Sequence, residues 1–396
     1  MRKKILFIME SLRIGGAEKS LLTILSMIDY SKYDVDLFLF RTNGEFMEFL
    51  PKEVNLLSPS ENYEIFHENR KLAPFKFLKK LDFKRFYHSS MYLIKCLYYK
   101  IIGKLYIGWE HVQYMFSEIG KEYDTSIAFL ERKTIYFNID KVKAVRKVGF
   151  IHNDYSRYPY DYQNDKKYFE NYHKIATVSE HCKKVLIEIF PEYEEKFLVI
   201  KNMISKQMIE KMAEEKLEIE KKDEIMIATV GRLVKQKGID HAIDLCKMFV
   251  DNAYPIKWYV IGGGEEEESL NKKIIENHLQ DNFILVGSQK NPYKWMKNCD
   301  VYVQPSIFEG FGITVCEAKI LAKPIIATDI PEFREQISDG KNGYLAKSDE
   351  MMYNRIKEVI DNKDGIRDRF IENLKKDGNL ENREELEKFY EVINGV

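Results

Sequence analysis

Short, uninterrupted apolar runs recur along this chain, and each leads into an amphipathic stretch. That alternation restricts the fold more than any other feature. Ile5–Met9 is continuous and apolar, as a strand covered on both faces must be. A Gly15–Gly16 turn follows it, and then Leu21, Leu25 and Ile28 fall at helical spacing. Further strands are expected at Val35–Phe40, Ser126–Leu130, Lys147–Ile151, Ile175–Val178 and Phe197–Ile200. The second half repeats the scheme with Ile225–Val230, Trp258–Ile261, Phe283–Val286, Val301–Gln304 and Pro324–Thr328. Strands alternating with helices make parallel sheets, so the expected class is α/β with two doubly wound domains. The hinge is expected near residues 203–222, where Met212–Lys222 is polar and dense in charge. After a polar break at Asp377–Asn379, Asn382–Ile393 reads as an amphipathic closing helix.

With 45% hydrophobic and 32% charged residues, the 396-residue chain has enough apolar content for more than one core, which excludes disordered and fibrous classes. Five scattered cysteines without a CxxC pair predict reduced thiols and neither a disulfide framework nor a zinc site. The apolar run near the start, Ile5–Met9, is shorter than the roughly 7–15 residues of a secretory core, and no run approaches the about 20 of a membrane span. A cytoplasmic protein is therefore expected. Net charge is −1, but residues 1–203 carry +6 and the remainder −7. A pI of about 6.7 gives no reason to expect nucleic-acid binding. The imbalance points instead to a basic surface on the N-terminal half.

Much of that basic charge falls between Arg70 and Lys104. This stretch holds ten Lys/Arg and one acid, Asp82, interleaved with Phe75, Phe77, Phe83, Phe86, Tyr87, Tyr92, Tyr98 and Tyr99. A basic, aromatic, amphipathic segment suits an anionic membrane surface or an anionic acceptor, with Lys79, Lys80, Lys84 and Arg85 as its candidate contacts. The plainer alternative is a helical insertion whose aromatics pack on their own domain.

Three post-strand loops carry chemistry. Ser306–Glu317 (SIFEGFGITVCE) follows a strand and opens a helix, so it lies at the sheet edge where open α/β folds bind ligands. Gly310 and Gly312 admit close backbone approach, and a helix N-terminus offers N–H groups to anionic oxygen. Glu309 and Glu317 supply acceptor-only carboxylates suited to vicinal hydroxyls. The second loop, Gly231-Arg232-Leu233 to Gln236-Lys237-Gly238, places two cations where a departing diphosphate gains charge. Third, Gly15-Gly16-Ala17-Glu18 follows the first strand as a phosphate-approach turn, and neither GxGxxG nor a P-loop is present. Gly262–Gly264 is followed by Glu265–Glu268, which repels phosphate, so it is read as structural. Asp34-Val35-Asp36 is an Asp-x-Asp string of the kind that can hold a metal. It enters an apolar strand without a further ligand nearby and is read as accidental.

Together these loops resemble the retaining glycosyltransferases of the GT-B fold, glycosyltransferase family 4. The likeness covers nearly the whole chain and is strongest over 225–346, where Pro324, Glu335, Asp339-Gly340 and Asn342-Gly343 follow in family order. It implies two Rossmann-like domains facing across a cleft. Residues 1–203 would hold the acceptor and 204–376 the nucleotide-sugar, and 377–396 would cross back to the first domain. It further implies that Glu317 takes the ribose hydroxyls and Glu309 the donor sugar. Phe311, Gly312 and Ile313 would face sugar and phosphates through their backbone, Arg232 and Lys237 would steady the diphosphate, and Gly16 would close on it. His152 resembles the family histidine beside the reacting carbon. The sequence departs from the family at Asp329–Glu335, where a glycine pair is common.

The expected activity is transfer of a hexose-type sugar, from a UDP-sugar, to a hydroxyl of a saccharide or lipid-linked saccharide with retained configuration. No cofactor and no metal are expected. The alternatives are an acceptor-independent, epimerase-like enzyme and a catalytically silent binding module of the same fold.

Overall fold

In the computed structural model, residues 2–103, 106–158, 161–219, 224–377 and 382–395 are described. Lys104 of the basic stretch, the end of the expected hinge segment (220–222) and most of the break at 377–379 lie outside them. Contacts divide the chain into one unit of Met1–Met203 with Arg383–Val396, and a second of Ile204–Asn382.

The first unit is built on a parallel sheet of seven strands: β1 (Lys3–Met9), β2 (Tyr33–Leu39), β3 (Asn55–Leu57), β4 (Glu122–Ala128), β5 (Lys143–Ile151), β6 (Lys174–Thr177) and β7 (Phe197–Val199). Their order is β3-β2-β1-β4-β5-β6-β7, so the winding reverses between β1 and β4. The unbroken run in β1 has a direct cause. Leu6 and Ile8 enter the core on one face of the sheet, while Ile5, Phe7 and Met9 enter the core on the other. Helix α1 (Gly16–Met27) follows β1 and buries Leu21, Leu22, Ile24 and Leu25.

The stretch after β3 forms α2 (Glu61–Glu68), α3 (Ala73–Lys79) and α4 (Phe83–Ile101). Asp82 caps α4 by accepting the Arg85 backbone N–H at 3.0 Å. Phe77 and Tyr92 turn inward to join Phe66, Trp109 and Phe116 in one aromatic core.

The closing helix Arg383–Asn394 packs in this first unit, with Phe389 buried and stacked on Phe7 at 6.0 Å. Tyr390 stacks on Tyr33 at 5.6 Å and accepts the Asp29 N–H at 3.0 Å. Each buried apolar side chain of this helix contributes about 1.5–3 kcal/mol.

The second unit holds β8 (Ile225–Val230), β9 (Ile256–Ile261), β10 (Phe283–Gly287), β11 (Val301–Gln304), β12 (Ile325–Thr328) and β13 (Tyr344–Ala346), all parallel. The order β10-β9-β8-β11-β12-β13 puts the reversal between β8 and β11. The two chemically richest loops of the sequence follow those two strands.

Two strands, β3 and β13, were not expected. Both are three-residue edge strands, and neither has the four successive apolar residues that mark β7. β4 starts four residues earlier than expected, because Glu122 and Asp124 alternate with buried Tyr123 and Thr125. β12 starts after Pro324, which has no N–H to donate.

Candidate functional site

The loop after β8 and the loop after β11 meet through their side chains. Lys237 Nζ donates to both oxygens of Glu309, at 2.6 and 2.8 Å. The carboxylate is 5% exposed, so the pair is largely removed from solvent. Ser306 Oγ donates to Glu309 Oε1 at 2.7 Å and accepts from Gln304 Nε2 at 2.9 Å. Tyr302 donates to Gln304 Oε1 at 2.6 Å. A chain of buried hydrogen bonds from the end of β11 thus holds Glu309 in one orientation. Gln236 ties the loops again, donating to the Phe308 carbonyl at 3.1 Å.

Gly238 makes that junction possible. It sits at φ +61°, and a Cβ there would come within 2.1 Å of the Pro305 carbonyl oxygen. Arg232 is exposed, and its side chain makes no hydrogen bond or ion pair among the described residues.

The helix Ile313–Ile320 starts at Gly312, in the left-handed region at φ +80°, with no side-chain cap. A Cβ on Gly312 would meet the Phe333 ring at 2.4 Å. The first N–H groups of this helix lack intrahelical acceptors, which suits an anionic oxygen. Phe311 is buried, and Gln336 donates to its carbonyl while accepting from Cys316 Sγ. Glu317 is fully buried and accepts the Tyr293 hydroxyl at 2.9 Å.

His152 and Gly16 belong to the first unit. Gly16 opens α1, which also lacks a side-chain cap. His152 follows β5. Burial pushes its imidazole down to about 4, so the ring is neutral at pH 7. The Glu131 charge, the Asn202 side chain and the Phe129 backbone partly offset that effect, although neither ring nitrogen closes a full hydrogen bond among the described residues. Glu131 shapes the loop by accepting the His152 backbone N–H at 3.1 Å and the Asn153 amide.

The four basic candidates on α3 and α4 differ. Lys79 is exposed, and Lys80 pairs with Glu61 at 2.5 Å in solvent. Lys84 lies 4.6 Å over the Tyr114 ring. Arg85 is taken up internally, by Asp82 and by the Tyr114 carbonyl at 3.0 Å. Around them Leu72, Phe75, Leu81, Phe83, Ile94 and Ile101 are exposed.

Other sequence features resolve as structure. Asp36 accepts from Lys121 at 3.0 Å, Tyr123 at 2.6 Å and Asn55 at 3.1 Å, and Asp34 shares Lys121. In the Asp339–Gly343 segment, Asp339 accepts the Leu345 N–H at 2.8 Å and Asn342 the Ser338 N–H at 2.9 Å, closing the turn before β13. Glycines after β9 carry backbone pairing, since Leu233 N–H donates to the Gly263 carbonyl at 3.0 Å.

Sequence reasoning did not single out Tyr293, Gln304, Ser306, Phe333 or Gln336. Only Gln304 left a signal, a polar residue at the end of an apolar strand.

Comparison with known proteins bears on this geometry. Residues 210–377 match the family model of glycosyl transferases group 1. An uncharacterized glycosyltransferase of Methanocaldococcus jannaschii (MJ1059) is 32% identical over 168 residues, 41% of each chain. The poly(ribitol-phosphate) alpha-N-acetylglucosaminyltransferase of Staphylococcus aureus is 25% identical over 228 residues, 56% of this chain and 45% of that one. The matches thus span less than half the length of these curated relatives. The structure of Anabaena Alr3699/HepE in complex with UDP-glucose superposes over 100% of both chains with a TM-score of 0.71 at 16% identity. At that identity the likeness speaks to the fold alone.

Proposed function

We propose that this chain, whose residues 210–377 match the glycosyl transferases group 1 and whose fold is of the GT-B type, moves a hexose-type sugar from a UDP-sugar to a hydroxyl of a saccharide or lipid-linked saccharide. The observation that carries this reading is the buried Lys237–Glu309 pair at the β8/β11 reversal, beside the uncapped helix at Gly312. In this reading Glu309 takes hydroxyls of the donor sugar and Glu317 those of the ribose. Arg232, Lys237 and the backbone at Phe311, Gly312 and Ile313 stabilise the diphosphate. Those cations and the helix terminus can supply the charge that a metal supplies elsewhere, so transfer proceeds without one.

Configuration is retained by substitution on one face. The bond from C1 to the diphosphate oxygen breaks, the acceptor oxygen bonds C1 on the same side, and its proton passes to the leaving phosphate. Two curated relatives support a phosphate-rich or lipid-linked acceptor by their names. One is the poly(ribitol-phosphate) enzyme above. The other acts on a diphospho-undecaprenol saccharide in Campylobacter jejuni and is 31% identical over 133 residues.

We further place the enzyme at the inner face of the membrane. No helix among the described residues is long and apolar enough to cross a bilayer. The exposed apolar stripe of α3 and α4, flanked by Lys79, Lys80 and Lys84, suits peripheral binding to anionic lipid.

The test is thermal stabilisation by UDP, GDP and ADP, with and without EDTA. A ligand at 100 times its Kd adds about 2.7 kcal/mol. A shift with UDP that survives EDTA and is lost in Glu317→Ala supports the reading. Conversion of the nucleotide-sugar into an epimer, with no acceptor present, favours the epimerase-like alternative. Nucleotide binding without turnover on any acceptor favours the silent module.

A further inference from the structure

A second concentration of charge, which the reading above leaves unused, lies at the C-terminal edge of the first sheet. β2, β1 and β4 are neighbours there, and the residues just beyond them are Arg41, Arg13 and Glu131-Arg132-Lys133. Backbone bonds hold these ends together: the Arg41 N–H donates to the Glu10 carbonyl at 2.9 Å, and the Phe129 N–H to the Ile8 carbonyl at 2.9 Å. His67 and Arg70, at the end of α2, join from above the edge, with Arg70 steadied by the Tyr92 hydroxyl at 3.3 Å.

The positive charges of Arg70, Arg41 and Arg132 all bear on Lys133, and those of Arg41, Arg70, Lys133 and Arg13 bear on His67. Burial holds the Lys133 ammonium below its ordinary range; Glu10 opposes it more strongly than any one cation acts, and Arg70, Arg41 and Arg132 add to the lowering.

Compensation is slight. Glu10 lies 3.6 Å from Arg41 and is itself 40% exposed. Glu131 is turned to His152 and Asn153, and Arg132 lies 5.7 Å over the Tyr158 ring with the charge of Asp165 acting on it. Among the described residues, Lys133 and Arg13 make no hydrogen bond or ion pair. Two further features mark the place. Arg132 is held at φ +69°, which is costly for a residue with a Cβ. The helix Lys133–Lys141 begins there without a side-chain cap, so its first N–H groups face the same edge as the cations.

Cations gathered at one sheet edge raise a local positive potential that attracts an anion. Arginine forks and a helix N-terminus match the oxygens of a phosphoryl group, and one carboxylate would leave most of the charge unmatched. The set sits at the winding reversal of the sheet, where such folds take ligands. We propose that Arg13, Arg41, Arg70 and Lys133 seat a phosphoryl group of the acceptor, either a polyol-phosphate phosphodiester or the diphosphate of a lipid-linked saccharide. This rests on the acceptor reading above and adds that the acceptor is anionic and held by its phosphate.

Calorimetric titration of the full chain with inorganic pyrophosphate tests it, using Lys133→Met, Arg41→Gln and Arg232→Ala. The expected result is at least a tenfold loss of one pyrophosphate site in the first two variants and its retention in Arg232→Ala. Lys133→Arg should keep the site, and unchanged melting by UDP in Lys133→Met shows that the second unit is intact. Pyrophosphate binding unaffected by Lys133→Met and Arg41→Gln, or lost only in Arg232→Ala, overturns the proposal. A glycerol-phosphate oligomer and a prenyl diphosphate in micelles then separate the two sources, through whichever shows the same Lys133 dependence. Binding of neither overturns the acceptor assignment. Absence of any UDP shift alongside Lys133-dependent pyrophosphate binding sinks the donor reading and leaves this site standing.

Discussion

The two sheets end in loops of opposite electrostatic character. After β8 and β11, the buried cation Lys237 is matched by Glu309, and Glu309 is held in turn by Ser306 and Gln304. After β2, β1 and β4, Arg13, Arg41, Arg70 and Lys133 gather with little beyond Glu10 to offset them. The difference is one of preorganisation. A paired site must exchange an internal partner for its ligand, so it can be folded and neutral while empty. An edge with an excess of cations, only Arg41 among them ion-paired, carries a net positive potential that an anion offsets.

Substitutions should therefore act with opposite sign in the two places. Glu309→Ala leaves Lys237 buried without its counter-ion, and urea denaturation should show a loss of about 3–5 kcal/mol together with loss of transfer. A stability change below about 1 kcal/mol would mean that the pair is not the internal clamp described here.

His152 provides the next contrast, since it is a buried ring without charge. Its folded-state value near 4 lies below the ordinary value of 6.5, so between those pH values the unfolded chain binds the proton and the folded chain does not. Stability is thus unaffected above about pH 6.5 and falls as pH drops towards 4, by up to about 3 kcal/mol. The stability gap between the protein and His152→Gln, measured by denaturation at pH 7, 5.5 and 4.5, should shift progressively in favour of the variant.

At the cationic edge the expected change is smaller and reversed. Lys133→Met should raise stability by about 1 kcal/mol in phosphate-free buffer, with the gain shrinking as pyrophosphate is added. Destabilisation by that substitution would show that the cations are balanced after all. The smallest effect belongs to the exposed cations. Neutralising Lys79 and Lys84 should weaken partitioning onto anionic vesicles at low salt by about 1 kcal/mol each, with no change in melting. Arg85→Gln should lower the melting point instead, because Asp82 and the Tyr114 carbonyl hold that side chain.

How much of this was legible depended on how local each feature is. β1, β8 and β11 could be read because strands buried on both faces are written as unbroken apolar runs. β3 and β13 could not, since neither has the four successive apolar residues that mark β7, the third edge strand of that length, although β13 is buried throughout. Glu309, Arg232, Lys237 and Gly312 stood out because glycines and charges were packed into short post-strand loops. Tyr293, Gln304, Ser306 and Gln336 did not, because each acts by holding another residue across the fold, and such hydrogen bonds leave no spacing signature.

The amino-acid order by itself determined two doubly wound units and the loops rich in glycine and charge that follow β8 and β11, because both follow from local periodicity and turn composition. Only the tertiary structure decided which charges neutralise each other. Glu309 and Lys237 lie on loops of different strands, and they pair because β8 and β11 are neighbours in the sheet. Arg13, Arg41, Arg70 and Lys133 are spread over the first third of the chain, and they become one cationic edge because β2, β1 and β4 lie side by side. Electrostatic energy depends on distance through space, and strand order, which no single segment encodes, sets that distance.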